Sequence, residues 1–169
     1  KDVFQQLKDL IDYYIDFHRS LADQETMCEL IATYIMSTWF IAAINVVGYL
    51  WINGERGSGK SELLTLATLY SHLGLLVLAG STYATMRDIA DMGGTIGFDD
   101  AENLSDTRST DPDKRSLILG GNRKGITVCL KEPDGKNGYK NRRVHVFSPR
   151  LFSAIKNPEP ILASRSIII

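Results

Sequence analysis

The octapeptide G-x-x-x-x-G-K-S at residues 54–61 constrains the fold of this chain more than any other feature of its sequence. An apolar, strand-like segment precedes it at residues 48–52, and a segment with leucines at helical spacing follows from Glu62 to Leu73. Between a strand and a helix, such glycines let backbone N–H groups face inward around phosphates, and the helix N-terminus adds partial positive charge. The sequence therefore predicts a phosphate-binding P-loop rather than a chance glycine-rich turn.

The residue types of this motif predict how a nucleoside triphosphate, ATP, and Mg²⁺ are held. Lys60 is expected to reach the β- and γ-phosphates and to act in catalysis, and Ser61 is expected to give its hydroxyl to Mg²⁺. The residues expected to contact the nucleotide are consecutive: Gly54, Glu55, Arg56, Gly57, Ser58, Gly59, Lys60, Ser61 and Glu62.

An acidic segment at residues 99–102 supplies the other groups that hydrolysis needs. These are an acid at the end of a neighbouring strand, on the metal side, and a polar group that orients the attacking water. We expect Asp99 to be the metal-side acid and Asp100 to polarise the water, with Glu102 as a reserve candidate for catalysis. The alternative is an acidic turn that merely opens a helix. Gly97, inside the preceding strand, indicates a close backbone approach.

The hydrophobic pattern predicts alternating helices and strands. Helices are predicted at about residues 2–19, 23–39, 62–73, 82–90 and 112–120, and strands at 48–52, 75–79, 94–98, 151–155 and 166–169. A hairpin is predicted from 126–131 and 143–147 around the turn at 133–138. The unbroken apolar run at 75–79 indicates a buried strand. The predicted fold class is α/β, a parallel sheet flanked by helices.

The chain of 169 residues suits one core domain, at residues 45–169, preceded by a helical extension at residues 1–44. It begins without Met and ends on an apolar, strand-like run, so we expect it to be part of a longer protein. Residues 30–52 form a window of 23 residues without a charge, which is long enough to cross a bilayer. Its polar residues, and its role in feeding the P-loop, favour a buried helix, a connection and a buried strand instead.

Charge is distributed unevenly along the chain, although its formal net charge is only −1. Residues 1–109 contain 15 acidic and 7 basic residues, whereas residues 110–169 contain 5 acidic and 12 basic residues. A basic C-terminal third favours a polyanionic partner. Cys28 and Cys129 have no metal-ligand spacing, so we expect a reduced, cytoplasmic protein.

Together these segments resemble the helicase-like P-loop ATPase domain of the AAA+ and superfamily III kind, which is often joined to primases in viruses, plasmids and other mobile elements. The resemblance runs from about Ile31 to Ile169. It depends on the motifs YLWI at 49–52, ST and MRDI within 81–89, FDDAE at 98–102, LGGNRKG at 119–125, and LASRSI at 162–167. It implies an AAA+-like core with an inserted β-hairpin, located in the cytoplasm or in the host compartment where a mobile element replicates.

By this resemblance, Arg165 is an arginine finger that reaches the γ-phosphate held by a neighbouring subunit. A finger acting in trans implies self-association as a ring, which we expect to be a hexamer. The polar sensor residue before Arg165 is Ser153 or Asn157, with Ser148 behind them. The family's water-polarising residue is often Glu, whereas Asp100 is one methylene shorter, which puts the catalytic rate in doubt. The resemblance places the family's C-terminal lid after Ile169.

The hairpin is expected to bind single-stranded or forked nucleic acid, with DNA favoured. In superfamily III helicases a hairpin at this place projects into the channel of the ring and follows the DNA backbone. The residues expected to contact phosphates are Lys136, Lys140, Arg142 and Arg143. Tyr139 near the tip could stack on a base. The alternative is an exposed hairpin that its lysines merely make soluble.

The favoured function is therefore an ATP-hydrolysing motor acting on nucleic acid, a replicative helicase module with a fused or associated primase. One alternative is a nucleotide-gated switch or assembly factor that hydrolyses ATP slowly. A second alternative is a P-loop phosphotransferase, which needs an acceptor pocket and an arginine-rich lid. No membrane partner is expected.

Overall fold

The computed structural model describes residues 2–78, 81–104, 111–135 and 138–169. The helices are α1 (Val3–Tyr14), α2 (Gln24–Trp39), α3 (Lys60–Tyr70), α4 (Tyr83–Asp91), α5 (Pro112–Gly120) and α6 (Pro160–Ala163). The strands are β1 (Tyr49–Asn53), β2 (Leu75–Leu78), β3 (Ile96–Asp99), β4 (Thr127–Pro133), β5 (Tyr139–His145), β6 (Arg150–Ala154) and β7 (Ser166–Ile168).

Five strands form one sheet in the order β2-β3-β6-β1-β7, and every neighbouring pair in it is parallel. The predicted α/β class with a parallel sheet is confirmed. Because β6 lies between β1 and β3, the strand that leads to the P-loop does not pair with the strand that ends in Asp99. All five strands end at the same edge of the sheet, where ligands bind in open α/β folds.

One face of the sheet is covered by α1, α2 and α3, which share an apolar core with the alternate side chains Leu50 and Ile52 of β1. Asp2 and Asp23 cap α1 and α2 by accepting backbone N–H groups. The charge-free window is thus a helix, a short connection and a strand, as expected. In the described part of the chain, no helix combines the length and apolarity needed to span a membrane.

The other face of the sheet is covered by α4, α5, α6 and side chains from the hairpin. Its centre is an aromatic stack, in which the ring of Phe152 lies 5.2 Å from that of Trp51 and 5.1 Å from that of Phe98. Residues on β1 therefore alternate between the two cores, since neighbouring side chains of a strand point to opposite faces.

Strand β2 differs from the prediction of a buried strand. It is an edge strand that pairs with β3 alone among the described residues, and Leu75, Leu76 and Leu78 are all exposed. The prediction failed because an apolar run shows that a strand is favoured but does not show how many neighbours the strand has. Helix α1 also ends earlier than expected, at Tyr14, because Ile15 has extended backbone angles.

Strands β4 and β5 form the predicted hairpin as a separate two-stranded sheet. Its inner face contains the cross-strand pair Val128, which is half-buried, and Val144, which is buried, and β5 packs against α4. The outer face is exposed from Thr127 and His145 to the tip. The hairpin is therefore attached to the body of the molecule by one face only.

Candidate functional site

The glycine-rich segment predicted to be a P-loop turns sharply between β1 and α3. Gly59 has a φ angle of +85°, in the left-handed region that side chains with a Cβ atom rarely adopt. A Cβ atom built at Gly59 would meet nothing within 4 Å, so the backbone conformation, not crowding, requires glycine there. The backbone N–H of Ser58 donates to the carbonyl of Glu55 at 3.3 Å, which closes the turn.

Helix α3 begins at Lys60 without a side-chain cap. The first N–H groups of a helix have no intrahelical acceptor, and they carry the positive end of the helix dipole. The Lys60 ammonium donates to the carbonyl of Glu55 at 3.4 Å, so it lies over the loop that precedes it. The start of α3 thus combines backbone donors, a cation and the Ser61 hydroxyl in one place.

Asp99, at the end of β3, is the point at which three parts of the chain meet. The Ser61 hydroxyl donates to Oδ1 of Asp99 at 3.0 Å, and the backbone N–H of Asp100 donates to the same atom at 3.1 Å. The hydroxyl of Ser153, which is buried on β6, also donates to it. The structure therefore brings together the two residues expected on the metal side, Ser61 and Asp99.

The other acidic candidates separate into two environments. Asp100 is exposed and has a φ angle of +52°, an unusual value for a residue other than glycine. Such a conformation costs about 1–2 kcal/mol. Glu102 instead accepts the backbone N–H of Ile155 at 2.7 Å, so it holds the loop that follows β6. Asp100 is thus the acid that faces solvent beside Asp99.

The three sensor candidates lie in different places. Ser153 contacts Asp99, as described above. Asn157 accepts from the side-chain amide of Asn53 at 2.7 Å, directly before the P-loop. Ser148 lies before β6, at the end of that strand opposite Ser153 and Asp99. Its backbone N–H donates to the carbonyl of Gly121, so Ser148 is not part of the site around Asp99.

Asn53 is a residue of the site that sequence reasoning missed. Its side-chain oxygen is buried and has no hydrogen-bond partner among the described residues, whereas its amide binds Asn157. The available signal was a polar residue at the end of an otherwise apolar strand. Its position next to the loop after β6 follows from the pairing of β1 with β6, which the local pattern could not give.

Arg165 lies at the edge of the sheet opposite the P-loop. It directly precedes β7, whose first residue is paired with Tyr49, whereas the P-loop follows Asn53 at the other end of β1. At about 3.3 Å per residue, these two ends of β1 are roughly 13 Å apart. The half-buried guanidinium donates to the carbonyl of Leu119 at the end of α5. Arg165 therefore points away from the P-loop of its own chain.

The hairpin places its predicted contact residues in different surroundings. Arg142 donates to Glu132 at 3.0 Å and to Asp91 of α4 at 2.9 Å, and these hydrogen bonds raise the pKa of its guanidinium. Arg143 is exposed on the outer face, and Lys140 is exposed opposite Glu132. Lys136 lies outside the described residues.

Asp91 is the anchor of the hairpin on α4. Its carboxylate accepts the backbone N–H of His145 and the Arg142 guanidinium, both at 2.9 Å. Desolvation by itself raises the pKa of Asp91, but the hydrogen bonds from His145 and Arg142 hold this pKa below its usual value. No local sequence pattern predicts this contact, since residues 91 and 142 are far apart in the chain.

The donor set at the start of α3 and the end of β3 fits Mg²⁺ bound together with phosphates. A serine hydroxyl and a carboxylate are hard oxygen donors, and Mg²⁺ typically takes one or two such protein ligands, completing its shell with phosphate oxygens and water. The described residues contain no cluster of three or more His, Cys, Asp or Glu side chains that could hold a metal ion by themselves.

Comparison of the chain with known proteins identifies no relative. No model of a known protein family matches the chain, and no curated protein matches it either.

Proposed function

We propose that the chain is a P-loop ATPase domain of the AAA+ and superfamily III kind, an ATP-hydrolysing motor that acts on nucleic acid as a helicase module. The observation that carries this proposal is the 3.0 Å hydrogen bond between Ser61 and Asp99. A strand, a glycine turn at positive φ and an uncapped helix start at Lys60 supply the phosphate site. Asp99, the acid expected on the metal side, reaches this phosphate site from the end of β3.

In this proposal, the backbone N–H groups at the start of α3 and the Lys60 ammonium bind the phosphates. Ser61 and Asp99 would hold Mg²⁺, which neutralises charge on the β- and γ-phosphates when it is bound. Ser153 orients the Asp99 carboxylate through its hydroxyl. Asp100 is the group that orients the attacking water, because it is the exposed acid beside Asp99.

Arg165 would act on the nucleotide of a neighbouring subunit, since it lies at the far edge of the sheet from its own P-loop. This arrangement requires self-association, which we propose to be a ring, a hexamer by resemblance. The exposed cation Arg143, with Lys140 and Lys136, would contact nucleic-acid phosphates. Arg142 supports the hairpin through Asp91 and Glu132 as well as adding positive charge.

A slow nucleotide-gated switch is the second candidate function. The observation that favours it is Asp100, which has a shorter side chain than Glu and an unusual backbone conformation. An exposed acid with no neighbours to fix its side chain orients a water molecule less precisely than an acid that neighbouring groups hold in place. A switch and a motor differ in whether nucleic acid accelerates hydrolysis.

The test is steady-state phosphate release with and without single-stranded DNA, using wild type, Lys60→Ala, Arg165→Ala and an equal mixture of the two variants. We expect DNA to accelerate the wild type and each variant alone to be inactive. The mixture should recover activity, because a Lys60→Ala subunit supplies its arginine to the intact P-loop of an Arg165→Ala subunit.

Two results would contradict the motor. Normal hydrolysis by Arg165→Ala would contradict the hypothesis that Arg165 acts in trans. A hydrolysis rate that DNA leaves unchanged would favour the nucleotide-gated switch. Transfer of the phosphoryl group to an acceptor other than water would instead indicate a phosphotransferase.

A further inference from the structure

Two arginines from outside α5 bind the carbonyl groups at its C-terminal end. The last four carbonyls of a helix have no intrahelical donor, and they carry the negative end of its dipole. Nη1 of Arg150 donates to Leu117 at 2.7 Å and to Ile118 at 2.8 Å, and Nη1 of Arg165 donates to Leu119. The two guanidinium groups therefore share one helix end.

Arg150 is the fixed member of this pair. Its side chain is fully buried, and its guanidinium also binds the carbonyl of Val146 at 3.0 Å and the hydroxyl of Tyr49 at 3.1 Å. None of the ion pairs in the described ranges involves Arg150. A buried cation without a carboxylate is costly, and Nε of Arg150 has no hydrogen-bond partner among the described residues, so the carbonyls that bind Nη1 and Nη2 are its main compensation.

Gly121 makes room for Arg150 directly after α5. A Cβ atom built on Gly121 would collide with Nη1, Nη2 and Cζ of the Arg150 guanidinium. The guanidinium thus fits against bare backbone at the point where the helix ends. Any side chain at residue 121 would push Arg150 away from the carbonyls of Leu117 and Ile118.

Arg165 is the adjustable member. It is half-buried, and its described hydrogen bond is to the single carbonyl of Leu119. The direction of that carbonyl depends on the last turn of α5, and Arg150 holds the two carbonyls immediately before it. A displacement of Arg150 is therefore expected to shift the carbonyls of Leu117 and Ile118, and with them the neighbouring Leu119 carbonyl that binds Arg165.

We propose that Arg150 is a positioning residue for Arg165: by fixing the last turn of α5, it directs the Leu119 carbonyl that orients the arginine offered to the neighbouring subunit. This inference rests on the proposed arginine in trans. It adds that the orientation of Arg165 is set from within its own chain, by a buried arginine that never meets the nucleotide.

The first test uses subunit mixtures in which each partner supplies one half of the shared site. A Lys60→Ala subunit supplies only the arginine, and an Arg165→Ala subunit supplies only the P-loop. We expect Arg150→Met placed in the Lys60→Ala subunit to lower the recovered hydrolysis about tenfold, because a misplaced catalytic group loses rate steeply. The same substitution placed in the Arg165→Ala subunit is the matched control, and it should retain nearly all of the recovered activity.

The second test observes Arg165 directly and needs no hydrolysis. In ¹⁵N-labelled protein, the guanidinium resonances of Arg165, assigned with Arg165→Lys, should report restricted rotation in the wild type. Arg150→Met and Gly121→Ala should each give faster rotation. Gly121→Ala keeps the buried charge and only displaces it, so it separates loss of position from loss of the arginine.

Equal losses in both mixtures would mean that Arg150 only stabilises the fold, and the proposal would be overturned. Unchanged Arg165 resonances in both variants would overturn it as well. If the mixture without Arg150→Met recovers nothing, the arginine in trans is wrong, and the resonances alone then decide whether Arg150 orients Arg165.

Discussion

The Asp99 carboxylate is fixed by donors from three separate segments: the start of α3, the turn after β3, and β6. Hydrogen bonds to a charged oxygen are stronger than those between neutral groups. One oxygen, Oδ1, accepts from Ser61, Ser153 and the backbone of Asp100. The position of this negative charge is therefore determined by the protein itself.

Replacing Asp99 by Asn should lower hydrolysis about 100-fold or more, because the charge that would hold Mg²⁺ is lost while the shape is kept. Ser153→Ala is the graded comparison. It leaves the charge and removes one donor, so its loss should be about tenfold at most. The measurement is the initial rate of phosphate release at saturating ATP and Mg²⁺. An Asp99→Asn rate within twofold of the wild type would show that Asp99 has no role in hydrolysis.

Among the elements, the hairpin is held to α4 by hydrogen bonds that, within the described ranges, all go to Asp91. Asp91→Ala should accelerate hydrogen exchange of the His145 amide about tenfold, since that N–H donates to the Asp91 carboxylate. Asp88→Ala is the matched control on the same helix, because Asp88 pairs with Arg87 instead. Equal exchange rates in the two variants would show that apolar contacts alone hold the hairpin.

The same attachment should depend on pH. The pKa of Asp91 is lower in the folded protein than its ordinary value of 3.8, so the contact stabilises the hairpin fully above that value. This stability is lost as the pH falls through the folded pKa. Exchange at His145 should therefore lose its protection in strongly acidic solution in the wild type, and Asp91→Ala should show no such step.

Local pattern predicted the elements that have a strong signal of their own. The helix starts predicted at residues 23 and 82 match the observed N-caps Asp23 and Thr82, and the turn predicted at the P-loop glycines is present. The close approach expected at Gly97 is confirmed, since a Cβ atom there would collide with Thr68 of α3. These features depend on backbone preferences and on neighbours along the chain.

Features that depend on strand order could not be predicted in the same way. The exposure of β2 follows from its place at the sheet edge, and the contact of Ser153 with Asp99 follows from β6 lying beside β3; both are properties of the whole sheet. The buried position of Arg150 likewise requires α5 and β6 to meet. A charged residue at the start of a strand carries no local sign that it will be enclosed.

For the molecule as a whole, α1 and α2 share an apolar cluster with the sheet and α3. Ile11 of α1 is fully buried in the cluster that also contains Leu50, Leu64 and Leu151 of the sheet and α3. Loss of packing in α1 should therefore also destabilise β1 and α3, the elements on either side of the P-loop.

Ile11→Ala should lower the free energy of unfolding by about 2–5 kcal/mol, through lost burial and the cavity left behind. Leu21→Ala is the control, since Leu21 is 84% exposed and should change the value by less than about 0.5 kcal/mol. Denaturant titration followed by tryptophan fluorescence and by circular dichroism measures both variants. Two separate transitions in the wild type would contradict a shared core.

The bare edge of β2 has a consequence for how the protein behaves in solution. Its uncharged leucines face water beside a row of backbone groups that have no strand partner among the described residues. Such an edge can pair with a strand from another molecule, because its described residues 75–78 include no lysine, proline or bulge of the kind that usually blunts a sheet edge. The protein should therefore aggregate at a lower concentration than its charge alone would suggest, and Leu76→Lys should raise that concentration, as measured by light scattering.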